Sequence, residues 1–151
     1  MIRHFYCDVV IAGCGVAGLY TALNLPRDKR ILMICKEDMD SCDSMLAQGG
    51  ICVMRDEQDY EPYFEDTMRA GHYENRRESV EIMIRSSRKV IDRLLELGVR
   101  FDKNPDGSLK YTKEGAHSRP RICFHEDITG KEITETLQRC VSCLLYTSRC
   151  V

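Results

Sequence analysis

The sequence predicts an α/β fold that opens with a strand, a helix and a second, parallel strand. An apolar run from Val9 to Ile11 leads into three glycines at G-x-G-x-x-G spacing. An Ala- and Leu-rich segment then ends near Pro26, and a second apolar run covers Ile31 to Cys35. Short apolar runs bounded by turn residues are typical of buried strands, and the segment between these two has the length of a helix. This order is that of a βαβ unit.

The three glycines have different tasks in the first turn. Gly13 allows the tight turn out of the strand, Gly15 keeps a Cβ away from a bound phosphate, and Gly18 lets the helix pack closely on the strand. The helix would then direct its amide groups and its positive dipole end toward a dinucleotide pyrophosphate. Glycines at this spacing also occur in ordinary turns, but the strand before them and the helix after them favour dinucleotide binding.

The end of the second strand leaves the type of dinucleotide open. A carboxylate at this point commonly binds the adenosine ribose. Glu37 could serve that purpose, but Lys36 at the tip of the strand is an equally good candidate for a cofactor contact. A plain NAD site is therefore not clearly indicated.

Composition limits the class of protein. The chain has 151 residues, a formal net charge of -2 and 30% charged residues, which fits one domain with an ordinary surface. We expect neither nucleic acid nor a membrane as a partner, and without an apolar transmembrane stretch or a signal peptide we expect a cytoplasmic protein. Its nine cysteines should then be reduced thiols. Cys140-x-x-Cys143 lacks a second pair, so no metal site is expected.

After the first unit, we expect a loop from Met39 that ends in two glycines just before Ile51. These glycines indicate either a plain turn or a second backbone clamp on the cofactor. A short strand, Ile51 to Met54, should follow, and then a helix from Asp56 to Gly71 with Pro62 in its first turn. The buried face of this helix is expected to carry Tyr60, Phe64 and Met68.

The longest helical pattern runs from Arg76 to Leu97. Asn75 and Glu78 resemble a capping box, and Gly98 should end the helix. The expected buried positions are Val80, Met83, Ile84, Ile91, Leu94 and Leu95. A small hairpin should follow, formed by residues 99–102 and 109–112 around an Asn-Pro-Asp-Gly turn.

The segment from Lys113 to Arg121 crowds acidic, imidazole and guanidinium groups into a glycine-containing loop. It can be interpreted as a solvated charged loop or as a catalytic loop held by a rigid scaffold. A helix from Lys131 to about Val141 follows. Residues 142–151 lose the helical periodicity, and we interpret them as a truncated or non-native tail.

Four segments resemble the N-terminal part of the L-aspartate oxidase family, within the succinate dehydrogenase and fumarate reductase flavoproteins. They are DVVIAGCGVAGL, DSMLAQGGI at 43–51, FEDTMRAGHYE at 64–74 and TKEGAHSRPRICFHEDITGKEI at 112–133. The resemblance covers about residues 6–141. The AQGG and EGAHSRPRI blocks are far more specific than the glycine motif.

This resemblance implies that residues 1–141 are the N-terminal portion of a doubly wound, Rossmann-like FAD-binding domain whose capping domain is missing. The residues that would hold FAD are Gly13, Cys14, Gly15, Val16, Ala17, Gly18, Lys36, Asp43, Ser44, Met45, Leu46, Ala47, Gln48, Gly49 and Gly50. In the membrane-bound succinate dehydrogenases of the superfamily, a histidine at the position of Asp43 is joined covalently to the flavin. A carboxylate cannot form that bond, so the resemblance implies non-covalent FAD.

The resemblance also implies a reaction, the oxidation of L-aspartate to iminoaspartate by hydride transfer to the flavin, with oxygen or fumarate as the electron acceptor. Glu114 takes the position of the family's active-site glutamate, His117 is the second catalytic candidate, and Arg119 is a plausible neighbour. The product would feed quinolinate and NAD synthesis, which implies a functional link to quinolinate synthase. Family members carry further substrate residues in parts outside these 151 residues, so we expect the isolated chain to be inactive.

Two alternatives to an aspartate oxidase remain open from the sequence. One is a soluble flavoprotein like fumarate reductase or succinate dehydrogenase, which would share the FAD scaffold and differ in its substrate pocket. The other is a non-catalytic FAD-binding fragment.

Overall fold

The computed structural model describes residue 4 and residues 6–145, which fall into two compact units. The first unit contains the chain through Ala47 and again from Gly130, and the second contains Gln48 to Thr129. The expected tail therefore lies partly outside the described residues, since nothing is described beyond residue 145. Residues 142–145 continue the last helix.

The first unit begins with the strand-helix-strand arrangement that the sequence predicts. Strand β1 covers Val9–Ala12, helix α1 covers Val16–Asn24, and strand β2 covers Ile31–Ile34. The two strands pair in parallel over their whole lengths. Leu19 and Ala22 on α1 and Ile11 on β1 are buried. Burial of this apolar surface stabilises the packing of the helix on the strands.

A short helix, α2 at Asp43–Leu46, replaces part of the predicted loop. Asp43 lies in its first turn, where a carboxylate interacts favourably with the helix dipole. The expectation of a loop throughout this segment was therefore wrong.

The second unit contains a three-stranded antiparallel sheet and two helices. Strand β3 is Ile51–Cys52, and a 3-10 turn at Glu57–Asp59 leads into helix α3, Tyr60–Ala70. Helix α4 then covers Arg77–Glu96, and the other two strands are β4, Tyr111–Thr112, and β5, Ile122–Cys123. Strand β5 lies in the middle, between β3 and β4. The last helix, α5, covers Thr129–Leu145 and belongs to the first unit from Gly130 onward.

Helices α3 and α4 form the core of the second unit together with the segment after β3. Its buried cluster consists of Met54, Tyr63, Phe64, Met68, Val80 and Ile84. The predicted positions Phe64, Met68 and Ile84 are confirmed, but Met83 is 46% exposed. Ser87 is buried instead, and its hydroxyl accepts a hydrogen bond from the Met54 amide at 2.9 Å.

One local prediction in this unit was wrong, and another was confirmed in a shorter form. Helix α4 starts after Arg76 without a side-chain cap, so Asn75 and Glu78 do not form a capping box. The predicted hairpin is present in a short form: an antiparallel bridge joins Lys103 to Leu109, and the Lys110 amide donates to the carbonyl oxygen of Asp102 at 2.9 Å. The end of its second strand, β4, also pairs with β5. Gly98 does end α4, with a φ of +95° that favours glycine.

Three features of the described residues bear on the class of protein. No helix among them is long and apolar enough to cross a membrane. They contain no cluster of His, Cys, Asp and Glu side chains that could hold a metal ion. All eight of their cysteines are free thiols.

Candidate functional site

The turn between β1 and α1 has the geometry that the glycine spacing predicts. Gly13 has a φ of +114°, which an L side chain rarely adopts. A Cβ at Gly18 would collide with the carbonyl oxygen of Gly13 and lie 3.2 Å from Cγ2 of Ile11. Helix α1 can therefore approach β1 closely only with glycine at position 18.

The N-terminus of α1 is open to an anion. Gly15 is its N-cap, no side chain caps it, and its first turn contains no acidic residue. The first amides of a helix have no partner within the helix, and they attract negative charge. The Val16 amide alone has a side-chain partner, because it donates to Oγ of Ser44 at 3.2 Å. Helix α2 thus places a hydroxyl beside these amides.

A cleft of about 720 Å³ lies in front of this turn. It is lined by Ala12 to Gly15 after β1, by Ile34 to Asp38 after β2, and by Ser41 to Asp43. Its volume is within the range of small-molecule sites. Lys36 and Glu37 both line it, and a cofactor contact by either residue stays a prediction.

Three cysteines also line this cleft, which sequence reasoning did not foresee. They are Cys14, Cys35 and Cys42. Burial and a hydrogen bond with Cys35 raise the pKa of the Cys14 thiol to about 11. Cys14 is therefore uncharged at neutral pH, and it adds no repulsion toward a phosphate.

The remaining predicted cofactor residues are divided between the units. Ala47 accepts a hydrogen bond from the Gly130 amide at 2.9 Å, which joins the end of α2 to the start of α5 within the first unit. Gln48, Gly49 and Gly50 belong to the second unit and are exposed. A Cβ at Gly50 would collide with Cys123 and Ile122, whereas one at Gly49 would meet nothing within 4 Å. Gly50 therefore has a packing role, and a cofactor role for Gln48 to Gly50 stays a prediction.

The charged loop between β4 and β5 carries the two predicted catalytic residues. Glu114 is exposed, and His117 is partly buried. Arg119 is also exposed, and its Nη1 donates to the carbonyl oxygen of Gln58 at 3.3 Å. This loop is thus anchored on one side and open to solvent on the other.

A buried arginine at the end of the loop fixes it to the 3-10 turn and to α3. The side chain of Arg121 is fully buried and pairs with Asp59 through two hydrogen bonds, Nε to Oδ2 at 3.1 Å and Nη2 to Oδ1 at 2.8 Å. Its Nη1 donates to Oδ2 of Asp66 at 2.8 Å. Such paired, forked geometry compensates the cost of burying the charge. The Tyr63 ring lies 4.8 Å from the guanidinium carbon.

Asp66 links the same network to the loop backbone. Its Oδ2 accepts from the amide and the hydroxyl of Ser118, both at 2.6 Å, and its Oδ1 accepts from Arg69 at 2.7 Å. Burial alone would raise the pKa of Asp66, but the hydrogen bonds from Ser118 and Arg121 outweigh it and hold this pKa below its ordinary value. Asp66 is therefore a carboxylate that orders the loop.

His117 lies between a thiol and the guanidinium. Its Nε2 is 3.1 Å from Sγ of Cys52, and its Nδ1 is 3.0 Å from Nη1 of Arg121. The Tyr63 ring meets the imidazole edge-on at 5.7 Å. Burial, and then the charge of Arg121, lower the pKa of His117. Burial raises the pKa of Cys52, and the charge of Glu114 adds to that rise. The lowered pKa leaves the imidazole neutral at pH 7.

The sequence analysis missed Asp59, Asp66 and Arg121. Asp59 and Asp66 are seven residues apart, two helical turns, which places both carboxylates on one side of the segment that enters α3. The sequence carries a signal for a buried ion network: two acids lie on a largely apolar face. An arginine also directly precedes the apolar pair Ile122 and Cys123.

Comparisons with known proteins agree with the geometry of the first unit. The profile of the FAD binding domain family matches residues 8–145. The L-aspartate oxidase of Clostridium perfringens is 48% identical over 130 residues, which is 86% of this chain and 29% of that protein. The L-aspartate oxidase of Clostridium acetobutylicum is 49% identical over 130 residues, 86% of this chain and 30% of the relative. The chain thus spans less than a third of the length of these curated relatives.

Solved structures give the same fold. Sdh1 of Mycobacterium smegmatis, in complex with UQ1, is 29% identical with a TM-score of 0.87, and the match covers 97% of this chain and 25% of that one. A variant of FrdA from E. coli quinol fumarate reductase has a TM-score of 0.90 at 24% identity, over 95% of this chain and 25% of that chain. The chain therefore belongs to the FAD binding domain family, and FAD is its cofactor.

Proposed function

We propose that this chain is the N-terminal part of an FAD-dependent L-aspartate oxidase that converts L-aspartate to iminoaspartate, with oxygen or fumarate as the electron acceptor. The observation that carries this proposal is the identity of 48% and 49% to two L-aspartate oxidases, against 29% to Sdh1. Iminoaspartate would serve quinolinate and NAD synthesis, which links the protein functionally to quinolinate synthase. The free thiols of the described residues support a reducing, cytoplasmic setting.

The first unit would hold the diphosphate of FAD. The amides of Ala17 and Gly18 at the start of α1 and the hydroxyl of Ser44 supply donors for phosphate oxygens, and Gly13 and Gly15 leave their backbone accessible. Lys36 adds a positive charge at the end of β2. Met45, Leu46 and Ala47 would contribute backbone and apolar contacts on the flavin side. Asp43 has no nitrogen with which to form a covalent bond to the ring, which supports non-covalent binding.

When bound, FAD would supply a hydride acceptor for the carbon that bears the amino group. The residues of this chain would orient the substrate and manage its protons. The exposed carboxylate of Glu114 can bind the substrate ammonium or accept a proton from it. The ring of His117 adds a hydrogen-bonding group in the same loop, and Arg119 provides a nearby positive charge. Arg121, Asp59 and Asp66 keep the loop in one conformation.

The test is an assay of the complete gene product with L-aspartate, with succinate and with fumarate. We expect aspartate-dependent peroxide formation in air and a flavin that is released on denaturation. Glu114→Gln should lower kcat/KM for aspartate by about 100-fold, the range for a lost general acid or base. The matched control is Glu61→Gln, an exposed glutamate on α3, which should leave activity unchanged.

Two results would contradict the proposal. Turnover of succinate or fumarate without turnover of aspartate would favour a fumarate reductase-like enzyme. A flavin that stays attached after denaturation would show that the cofactor is covalently linked.

A further inference from the structure

The hydrogen bonds around His117 assign a proton to one of its two ring nitrogens. A guanidinium can donate hydrogen bonds but cannot accept them. Because Nη1 of Arg121 lies 3.0 Å from Nδ1, that nitrogen must present its lone pair. In a neutral imidazole the proton then resides on Nε2, which lies 3.1 Å from Sγ of Cys52. Sulfur is a weak acceptor, so this contact is a weak hydrogen bond.

We propose that Arg121 is a positioning residue that holds His117 as an Nε2-H donor. The groups that face the ring support this assignment from each direction. Cys52 on β3 faces Nε2, Tyr63 on α3 meets the ring edge, and Arg121 faces Nδ1. Asp59 and Asp66 contact the guanidinium, and they hold it in place with 2.8 Å bonds at Nη2 and Nη1.

The assignment has a chemical consequence that rests on the proposed function. An imidazole with its lone pair occupied by Arg121 cannot act as a base, but it can donate from Nε2. A carboxylate oxygen is a far stronger acceptor than a thiol, so it would replace Cys52 as the partner of Nε2. His117 would thus bind a carboxylate of the substrate, and Glu114 would be the residue that exchanges protons.

The experiment is a long-range ¹H-¹⁵N correlation spectrum of the uniformly ¹⁵N-labelled 151-residue chain at neutral pH. The chain has four histidines, and loss of signals in His117→Gln identifies those of His117. The expected pattern is that of the neutral Nε2-H tautomer, with a titration midpoint below that of an exposed histidine. A doubly protonated ring or an Nδ1-H tautomer in the wild-type chain would overturn the proposal.

Variants separate the role of Arg121 from general stability. In Arg121→Met, the single-tautomer pattern should be lost and the titration midpoint of His117 should rise, because Asp59 and Asp66 then face the ring without the guanidinium. Arg121→Lys, which keeps a donor, should restore the Nε2-H pattern. Lys113→Met, which removes an exposed positive charge from the same loop, is the control and should leave His117 unaffected.

Each outcome is informative even if one variant fails to fold. If Arg121→Met is unfolded, the wild-type spectrum and Arg121→Lys still decide the assignment. An unchanged His117 pattern in folded Arg121→Met would refute it. The spectra need neither flavin nor substrate, so a gene product that fails to oxidise aspartate would disprove the proposed function and leave the role of Arg121 standing.

Discussion

The buried side chain of Arg121 shows how a single residue can order the loop between β4 and β5. Its charge is balanced by Asp59 and Asp66, both with side chains only 3% exposed. Removal of one member of a buried ion pair leaves the other uncompensated, which is more costly than loss of an exposed pair. The loop that carries Glu114 and His117 is therefore held by electrostatics as well as by packing.

Asp66 should make the stability of the second unit dependent on pH in the acid range. Its pKa is held below the ordinary value by Ser118 and Arg121, so its contribution is complete above about pH 4 and is lost as pH falls through the folded pKa. We expect Asp66→Asn to lower the free energy of unfolding at pH 7 by about 3 kcal/mol. The variant should also lose less of its free energy of unfolding than the wild-type chain as the pH falls below 4. Urea unfolding between pH 7 and pH 2.5 measures both effects.

A control at Asp106 separates burial from hydrogen bonding. Asp106 also accepts hydrogen bonds, from the amide and hydroxyl of Ser108, but it is exposed in a turn. Asp106→Asn should therefore change stability little at any pH. An equal loss of unfolding free energy in both variants would show that the buried carboxylate stabilises the chain no more than an exposed, hydrogen-bonded one. His117 should cause a separate loss of stability as pH falls below about 6.5, because its lowered pKa makes the unfolded state bind the proton first.

At the level of elements, the contact between α1 and β1 depends on a missing side chain. Gly18 lies inside α1, where alanine is favoured over glycine by about 1 kcal/mol. A Cβ at this position would nevertheless collide with the backbone carbonyl of Gly13, which cannot rotate away as a side chain could. The steric cost should therefore exceed the gain in helix propensity.

We expect Gly18→Ala to destabilise the first unit and to weaken FAD binding by at least about 10-fold, which corresponds to about 1.4 kcal/mol. Thr21→Ala is the matched control, since Thr21 is an exposed residue of the same helix. Fluorescence titration of the apoprotein with FAD and thermal unfolding provide the measurements. Wild-type affinity in Gly18→Ala would mean that α1 can move away from β1 without loss of the cofactor site.

The same elements show what the sequence could predict. The pattern of β1, α1 and β2 was recognised because glycines, apolar runs and Pro26 act locally, within a few residues. Strands β4 and β5 have two residues each and exist because of their pairing, which no local pattern encodes. The pairing of β4 with β5 was not predicted for this reason, and α2 was missed because a four-residue helix has no periodicity.

In the candidate site, too, local features could be predicted from the sequence and long-range pairings could not. Gly13, Gly18 and the loop that contains Glu114 were found from their own residues or from the resemblance. The pairing of Arg121 with Asp59 and Asp66 spans 62 and 55 positions of the chain, so only the folded structure shows it. The cleft that brings Cys14, Cys35 and Cys42 together is also a product of the parallel pairing of β1 and β2.

At the scale of the whole molecule, the charges of the described loop explain why FAD binding and aspartate oxidation should separate. L-Aspartate carries two carboxylates, which an oxidase must neutralise to orient the substrate. Arg121 is already paired with Asp59 and Asp66, so it has no free charge to offer. Glu114 would add a further negative charge. The chain also spans only 29% and 30% of the L-aspartate oxidases that it matches.

We therefore expect the 151-residue chain to bind added FAD but not to oxidise L-aspartate, whereas the complete gene product should do both. FAD binding is measured by quenching of flavin fluorescence, and oxidation by a coupled peroxide assay with 10 mM or more L-aspartate. Free FAD without protein and the chain without aspartate are the controls. Aspartate-dependent peroxide formation by the chain alone would show that Glu114, His117 and their neighbours suffice for the reaction. Failure of the chain to bind FAD would instead show that the cleft beside α1 needs residues outside this sequence to retain the cofactor.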